Sequence, residues 1–192
     1  CPTTRKAFDL SLEKPAEATR FGRHEFGQSL LLASRLIESG VHFVTVRLRP
    51  AEFDFDTHTD NFSRLSNLLP PFDKGLASLI DRLKERGLFS STAIMVAGEF
   101  GRTPKVNNQG GRDHWARAMF ALMAGGDVQG GQAIGETDKL AGEPEGAGYS
   151  PEDIAASFFQ NIGISPQKEF QTNVGRPINL VRDGQLIKQL FS

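Results

Sequence analysis

The chain has 192 residues, of which 39% are hydrophobic and 23% are charged, and its net charge is -1 at pH 7. That length is enough for the core of one domain, and the near-neutral charge excludes nucleic-acid binders that rely on phosphate neutralisation. No apolar stretch approaches the roughly 20 residues of a membrane-spanning helix. The single cysteine, Cys1, excludes an internal disulfide. Because the chain opens on cysteine rather than methionine, we expect residues 1–192 to be a piece of a longer protein.

The first clear pattern in chain order predicts a helix after His24. Apolar residues recur there every three or four positions, as they do on one face of a helix. They are Phe26, Leu30, Ala33 and Ile37. Gly40 is predicted to end this helix. The next segment, Val41–Leu48, is rich in β-branched and aromatic residues and predicts a strand.

After Arg49-Pro50 comes a loop that is dense in oxygen donors, Glu52–Asn61. Hard oxygen donors beside an imidazole suit a divalent cation, so we interpret Asp56 and His58 as site residues. The alternative for such a loop is helix capping, since an aspartate or asparagine commonly precedes a helix. We assign that role to Asp60 or Asn61.

A helix is predicted from about Phe62 to Arg86, with an interruption at Pro70-Pro71. The strand predicted next, Thr92–Ala97, is almost continuously apolar, which is typical of a strand buried on both faces of a parallel sheet. The periodicity of Ala118–Ala124 fits a strand or a helix, and its length and the two glycines behind it favour a strand.

Ser150 and Pro151 begin the last predicted helix, as an N-cap residue followed by proline at the first helical position. The tail is predicted to form turns and short edge strands. Helices alternate with strands along the chain, and this order predicts an α/β domain with a largely parallel sheet.

A second polar segment follows the strand that ends at Ala97. It spans residues 98–115 and combines four glycines with carboxylates, an imidazole and two arginines. If the first two strands are parallel, this segment and the Glu52–Asn61 loop leave the same edge of the sheet. The sequence therefore predicts one metal site. Its ligands are Asp56, His58, Glu99, Asp113 and His114.

Imidazole ligands favour zinc, manganese or iron over calcium, although calcium remains open. Arg102 and Arg112 have planar donors that fit a phosphate or sulfate oxygen. Their alternative role is to pair with Glu99 or Asp113. The expected partner is therefore an anionic ester substrate, and we expect neither a nucleic-acid partner nor a membrane-spanning segment.

Four short motifs carry a resemblance to a known family. They are FDTHTDNF at 55–62, GEFGRTP at 98–104, GGRDHW at 110–115 and GGQ at 130–132. The chain resembles, over nearly its whole length, a bacterial family catalogued as domain of unknown function 1501 and described as sulfatase-like. That family is similar to the alkaline phosphatase superfamily. The resemblance implies a three-layer α/β/α sandwich, incomplete in this fragment, and metal-dependent hydrolysis of phosphate or sulfate esters.

The resemblance extends to some site residues and not to others. The superfamily's buried strand usually ends in Asp-His-Gly, both side chains being ligands, whereas the matching place here reads Glu99-Phe100-Gly101. A later histidine commonly completes such a site, and His114 fits that place. The nucleophile of the superfamily would precede Cys1. The resemblance therefore implies no catalytic residue in this fragment, which we expect to be inactive alone.

Two functional hypotheses follow. The first is a metal-dependent hydrolase of sulfate or phosphate esters, with Arg102 or Arg112 binding the anionic ester. The alternative is a non-catalytic binding or scaffold protein that keeps the fold with a degraded metal site, and Phe100 at a ligand position favours it. The resemblance also implies an extracytoplasmic location, periplasmic or secreted.

Overall fold

The computed structural model describes residues 2–47, 54–146 and 148–192. These residues separate into two compact units. The first unit consists of the described residues of Cys1–Leu88 together with Val106–Asp113, and the second consists of those of Phe89–Lys105 and His114–Ser192. The assignment of the chain to one portion of a larger domain stays a prediction.

The regular secondary structure described in the first unit is helical. Its α-helices are α1 (Pro2–Ala7), α2 (Pro15–Phe21), α3 (Glu25–Glu38) and α4 (Asn61–Glu85), and a short 3-10 turn covers Leu10–Leu12. In the parts of the chain that the structure describes, no helix has both the length and the apolar character that a bilayer crossing requires.

The core of the first unit lies where α3 packs against α4. The rings of Phe26 and Phe72 stack with their centroids 5.4 Å apart. Gly75 allows the two helices to approach closely, because a Cβ atom there would lie 3.1 Å from Leu30 Cδ1. The buried apolar residues of this unit include Ala7, Phe21, Phe26, Leu30, Leu31, Ala33, Leu79 and Leu83.

The helix predicted after His24 is confirmed as α3. His24 is its N-cap, and the ring Nδ1 accepts a hydrogen bond from the Gly27 backbone N–H at 3.1 Å. Gly40 follows the helix with φ +86°, a left-handed conformation that glycine adopts without a steric penalty. The periodic apolar face therefore located this helix to within about one residue at each end.

The predicted interruption of the next helix is wrong. α4 runs continuously through Pro70 and Pro71. Each proline removes one backbone hydrogen bond, to the carbonyl group four residues earlier. Those carbonyl groups belong to Ser66 and Asn67, which are exposed, so water can satisfy them. Packing of the apolar face of α4 on α3 supplies the stabilisation that keeps the helix intact.

The second unit contains all six described strands, and each of its three small sheets is a two-stranded antiparallel pair. β1 (Ile94–Ala97) pairs with β4 (Ala121–Ala124), β2 (Gly101–Arg102) with β3 (His114–Trp115), and β5 (Glu169–Gln171) with β6 (Pro177–Asn179). β1 confirms the strand predicted within Thr92–Ala97, and β4 confirms the strand predicted within Ala118–Ala124.

The predicted α/β/α sandwich with a largely parallel sheet is wrong. In the described residues the strands pair only antiparallel, and β1 is joined to β4 without the crossover helix that parallel neighbours require. The apolar run Thr92–Ala97 was interpreted as buried on both faces, yet Met95 is 44% exposed. An apolar run indicates strand propensity but does not specify the direction of the partner strand.

The strand predicted over Val41–Leu48 is also wrong for its described part. Residues 41–47 have no strand pairing, and Phe43 is 72% exposed. β-branched residues favour a strand only where a partner strand and a buried face are present. Leu48, Arg49, Pro50 and Glu52, which the sequence interpretation also used, lie outside the described residues.

The last helix of the second unit is α5 (Pro151–Asn161), as predicted from its first residues. Ser150 and Asp153 form a reciprocal capping box: the Ser150 hydroxyl accepts from Asp153 N at 3.1 Å, and Ser150 N donates to Asp153 Oδ2 at 2.8 Å. The tail packs back on this helix, where Ile187 N donates to the buried Ser157 Oγ at 2.9 Å.

A buried ion cluster joins three helices of the first unit to the segment between α1 and α2. The Arg82 side chain is 2% exposed, and its guanidinium lies 3.0 Å from both Glu13 and Glu17 and 2.7 Å from Glu38. Arg35 also pairs with Glu13. The hydrogen bond from Arg82 holds the pKa of Glu13 below its ordinary value, although burial acts in the opposite direction.

Acid should therefore destabilise the first unit through Glu13. Because the folded-state pKa is depressed, this contribution is complete above the ordinary carboxyl pKa of about 4.3 and is lost as the pH falls through the folded value. We expect Glu13→Gln to lower stability at about pH 6 and to weaken its loss towards pH 3. Urea unfolding at both pH values measures this. The exposed Asp73 provides the control, and a pH dependence changed equally by Asp73→Asn would contradict the account.

Candidate metal site in the first unit

Two loops of the first unit lie side by side. The first loop is residues 54–60, ahead of α4, and the second loop is residues 106–113. Thr59 and Gly110 form an isolated antiparallel bridge between them. Arg112 N donates to the Thr57 carbonyl oxygen at 2.9 Å. Backbone hydrogen bonds thus hold together two segments that are about 50 residues apart in the chain.

Gly111 is the point of closest approach between the loops. It is buried, and a Cβ atom on it would lie 1.8 Å from the His58 carbonyl oxygen. Real Cβ atoms do not approach oxygen that closely, so only glycine fits without moving the first loop. The requirement for glycine comes from space here, because the φ angle of Gly111 is not positive.

Buried contacts hold the first loop in place against the start of α4. Thr57 is 1% exposed, and its hydroxyl donates to Asn61 Oδ1 at 2.6 Å. Phe55 packs edge-on against Phe72 of α4. Asp60 occupies the N-cap position of α4 with φ +48° and makes no side-chain cap bond, so the predicted capping position is correct and the predicted capping bond is absent. Residues 55 and 57 point inwards and residues 56 and 58 face outwards, which is the alternation of an extended segment.

His58 lies between two carboxylates. Its Nε2 is 3.0 Å from Asp56 Oδ1, and its Nδ1 is 2.8 Å from Asp113 Oδ1. The side chains of His58, Asp56 and Asp113 are 42%, 48% and 52% exposed, so a small ion or ligand can reach them. When the imidazole is protonated, both of its N–H groups donate to carboxylates. When it is neutral, one nitrogen has a lone pair that can bind a metal.

Asp113 accepts hydrogen bonds from both loops. Its Oδ1 accepts two N–H groups, from His58 Nδ1 and from Asn107 Nδ2 at 3.2 Å. A carboxylate that receives the far N–H of a histidine is the usual partner that orients a metal-binding imidazole. The geometry therefore fits a metal held by Asp56 Oδ1 and His58 Nε2, with Asp113 directing the ring. The sequence interpretation placed Asp113 among the ligands, a role that stays a prediction, and it missed Asn107, which nothing in the sequence distinguishes from Asn108.

The first unit contains Asp56, His58, Asp113 and Arg112 of the predicted site. The Arg112 guanidinium carbon lies 5.7 Å from the centroid of the Phe62 ring, at the start of α4. A cation over an aromatic face is a favourable contact. The substrate-binding role of Arg112 stays a prediction.

The other predicted site residues are described within the second unit. His114 pairs with Arg102 in the β2–β3 ribbon, and its ring lies 4.3 Å from that of Phe100. Arg102 lies over the same Phe100 ring at 5.7 Å, and Glu99 is exposed. A Cβ atom on Gly101 would lie 1.8 Å from the Ala118 carbonyl oxygen, so this ribbon also needs glycine.

The predicted ligands therefore fall into two groups. Asp56, His58 and His114 each have one carboxylate oxygen or ring nitrogen that could hold a metal ion. The structure brings Asp56, His58 and Asp113 together within the first unit. They meet because an antiparallel bridge joins their two loops, and not because both loops leave one edge of a parallel sheet. The ligand roles of Glu99 and His114 stay predictions.

Comparison with known proteins gives one finding. A family model described as "Protein of unknown function (DUF1501)" matches residues 2–191. No curated protein and no solved structure matches the chain.

Proposed function

The chain belongs to the DUF1501 family, and we propose that its first unit binds a divalent transition-metal ion that serves the hydrolysis of a sulfate or phosphate ester. The observation that carries this proposal is the placement of His58 between Asp56 and Asp113, at 3.0 Å and 2.8 Å. One imidazole with carboxylate oxygens is a donor set typical of zinc and manganese, and calcium, which prefers oxygen alone, fits it less well.

The spacing of the two proposed ligand atoms supports the assignment. Two ligands bonded to tetrahedral zinc at about 2.0–2.2 Å lie roughly 3.4 Å apart. Asp56 Oδ1 and His58 Nε2 are 3.0 Å apart, so a small widening would admit the ion. Both side chains come from one extended segment whose neighbours are buried, which limits how far they can separate.

The chain's own residues would have distinct tasks. Asp113 accepts the Nδ1 proton of His58 and so keeps the ring turned towards Asp56. Arg112, next to Asp113 in the chain, adds a positive charge that attracts an anionic ester. When bound, the ion supplies a Lewis acid that polarises an oxygen of the ester. Expected export from the cytoplasm belongs to the same proposal, and cell fractionation tests it.

Metal titration of three variants tests the site. We expect Asp56→Asn and His58→Ala to weaken Zn²⁺ binding by at least about tenfold, since each removes a proposed ligand. Asp60→Asn is the matched control, because it makes the same substitution in the same loop at a residue that also suits the left-handed conformation. Isothermal titration calorimetry with Zn²⁺ and Mn²⁺ gives the affinities. Equal affinities for Asp56→Asn and Asp60→Asn would contradict the proposal.

Ester hydrolysis is tested in the full-length protein that the resemblance implies. Turnover of an aryl sulfate or an aryl phosphate that a chelator abolishes and zinc restores would support the hydrolase. It should disappear in His58→Ala and persist in Asp60→Asn.

A second candidate is a non-catalytic binding or scaffold protein. The Phe100 ring is half-buried and packs on His114 at 4.3 Å, where the resemblance would place a ligand histidine. A packed aromatic ring at that position contributes hydrophobic contact and no metal ligand. Zinc binding without turnover of either ester would favour this candidate.

A further inference from the structure

The Asn107 side chain makes four hydrogen bonds at the candidate site. Its Nδ2 donates to the His58 carbonyl oxygen at 3.0 Å and to Asp113 Oδ1 at 3.2 Å. Its Oδ1 accepts from Gln109 N and from Gly111 N, both at 2.9 Å. Its backbone N also donates to the Gly111 carbonyl oxygen at 2.9 Å.

The two ends of the Asn107 amide act on different parts of the site. The oxygen accepts only from its own loop, two and four residues further on, which is a local turn that shapes residues 107–111. The NH₂ group donates to the first loop and to the carboxylate beside it. The acceptor end therefore folds the second loop, and the donor end joins that loop to His58 and Asp113.

We infer that Asn107 is the positioning residue of the site: it holds Asp113 against His58 Nδ1, so that Nε2 is the nitrogen turned towards Asp56 and the ion. The role in metal binding rests on the proposed function, but the orientation of the imidazole does not. Asp113 is 52% exposed on a loop, and such a carboxylate has several accessible rotamers. The Nδ2 hydrogen bond selects the rotamer in which Oδ1 faces the ring.

This arrangement assigns the two ring nitrogens. The carboxylate held at Nδ1 keeps a proton on that nitrogen, and Nε2, which faces Asp56 at 3.0 Å, is the nitrogen that would give up its proton to a metal. The same hydrogen bond from Nδ2 to the His58 carbonyl oxygen fixes the backbone from which the ring projects. Asn107 thus acts through Asp113 and through the main chain, without touching the ion itself.

Asn107→Ser separates the two ends of the amide. A serine hydroxyl can still accept from the N–H group two residues on, but it is too short to span to the first loop. Asn108→Ser is the matched control in the next, exposed position. We expect Asn107→Ser to bind Zn²⁺ about 10–100-fold more weakly than Asn108→Ser, the range found when an outer partner of a metal ligand is removed.

A second readout does not depend on metal. Long-range ¹H–¹⁵N spectra of the metal-free protein show how strongly each ring nitrogen of His58 holds a proton. We expect Nδ1 to hold its proton in the parent protein and in Asn108→Ser, and to hold it less than Nε2 does in Asn107→Ser. If Asn107→Ser does not fold, Asn107→Asp is measured instead, because an aspartate keeps both acceptor bonds and removes the two donor bonds.

The outcomes are distinguishable. A proton held less at Nδ1 than at Nε2 of His58 in the parent protein, or an unchanged hold on the Nδ1 proton and unchanged zinc affinity in Asn107→Ser, would overturn the role of Asn107. A parent protein that binds no zinc but shows the expected change at Nδ1 in Asn107→Ser would overturn the proposed function and leave the positioning role intact.

Discussion

Replacement of Arg82 by methionine should lower the free energy of unfolding of the first unit by about 3–5 kcal/mol. The Arg82 side chain is 2% exposed, and its guanidinium bonds to Glu13, Glu17 and Glu38. Burial alone would lower the pKa of Arg82, but hydrogen bonds to Glu13 and Glu38 outweigh that effect and raise it. Without the arginine, these three carboxylates would lose the buried cation that they share.

Arg86→Met provides the control for this measurement. Arg86 is the C-cap residue directly after α4, four residues beyond Arg82. Its side chain is 56% exposed, and its Nε is 3.8 Å from Glu38. An exposed pair of this kind contributes about 0–1 kcal/mol. Urea unfolding of both variants compares the two positions. Equal destabilisation by Arg82→Met and Arg86→Met would contradict the importance of the buried cluster.

Gly111→Ala should remove zinc binding at the candidate site. Its Cβ would lie 1.8 Å from the His58 carbonyl oxygen, so the two loops must separate and Asp113 must move away from the ring. We expect a loss of at least about 100-fold in Zn²⁺ affinity, since a shift of even 1 Å disrupts a positioned site. The forced contact should also destabilise the unit by about 1–3 kcal/mol.

Gly110→Asn is the matched control for this substitution. Gly110 has φ +70°, a conformation that asparagine tolerates, and a Cβ there would lie 3.8 Å from Asp60 N, an ordinary contact. Calorimetric zinc titration and thermal unfolding of both variants separate loop displacement from a general loss of stability. Zinc binding by Gly111→Ala equal to that of Gly110→Asn would show that the close approach does not shape the site.

The sequence predicted single elements better than it predicted how they pair. Periodic apolar residues located α3, and a serine followed by proline located the start of α5, because both signals are local to one helix. The parallel sheet failed because the apolar segments around Ile94 and Ala121 have no information about strand direction. Residues 41–47 failed as a strand because β-propensity needs a partner strand to be realised.

The sequence identified the charged residues of the candidate site but not the contacts that hold them in place. Asp56, His58 and Asp113 attracted attention because carboxylates and imidazoles are metal ligands, and they do lie together. Their proximity comes from a bridge between two loops that no sequence pattern signals. Asn107 could not be identified from the sequence for the same reason, since its proposed role depends on hydrogen bonds to His58 and Asp113, which are 49 and 6 positions away.

Zinc X-ray absorption of the zinc-loaded protein tests most directly whether Asp56 and His58 hold the ion. The chain has four histidines, so the parent spectrum must be compared with that of His58→Ala. We predict imidazole nitrogen together with oxygen ligands at about 2.0–2.2 Å in the parent protein, and loss of that imidazole signal in His58→Ala. An imidazole signal unchanged by His58→Ala, or a parent spectrum that shows only water around zinc, would contradict the account.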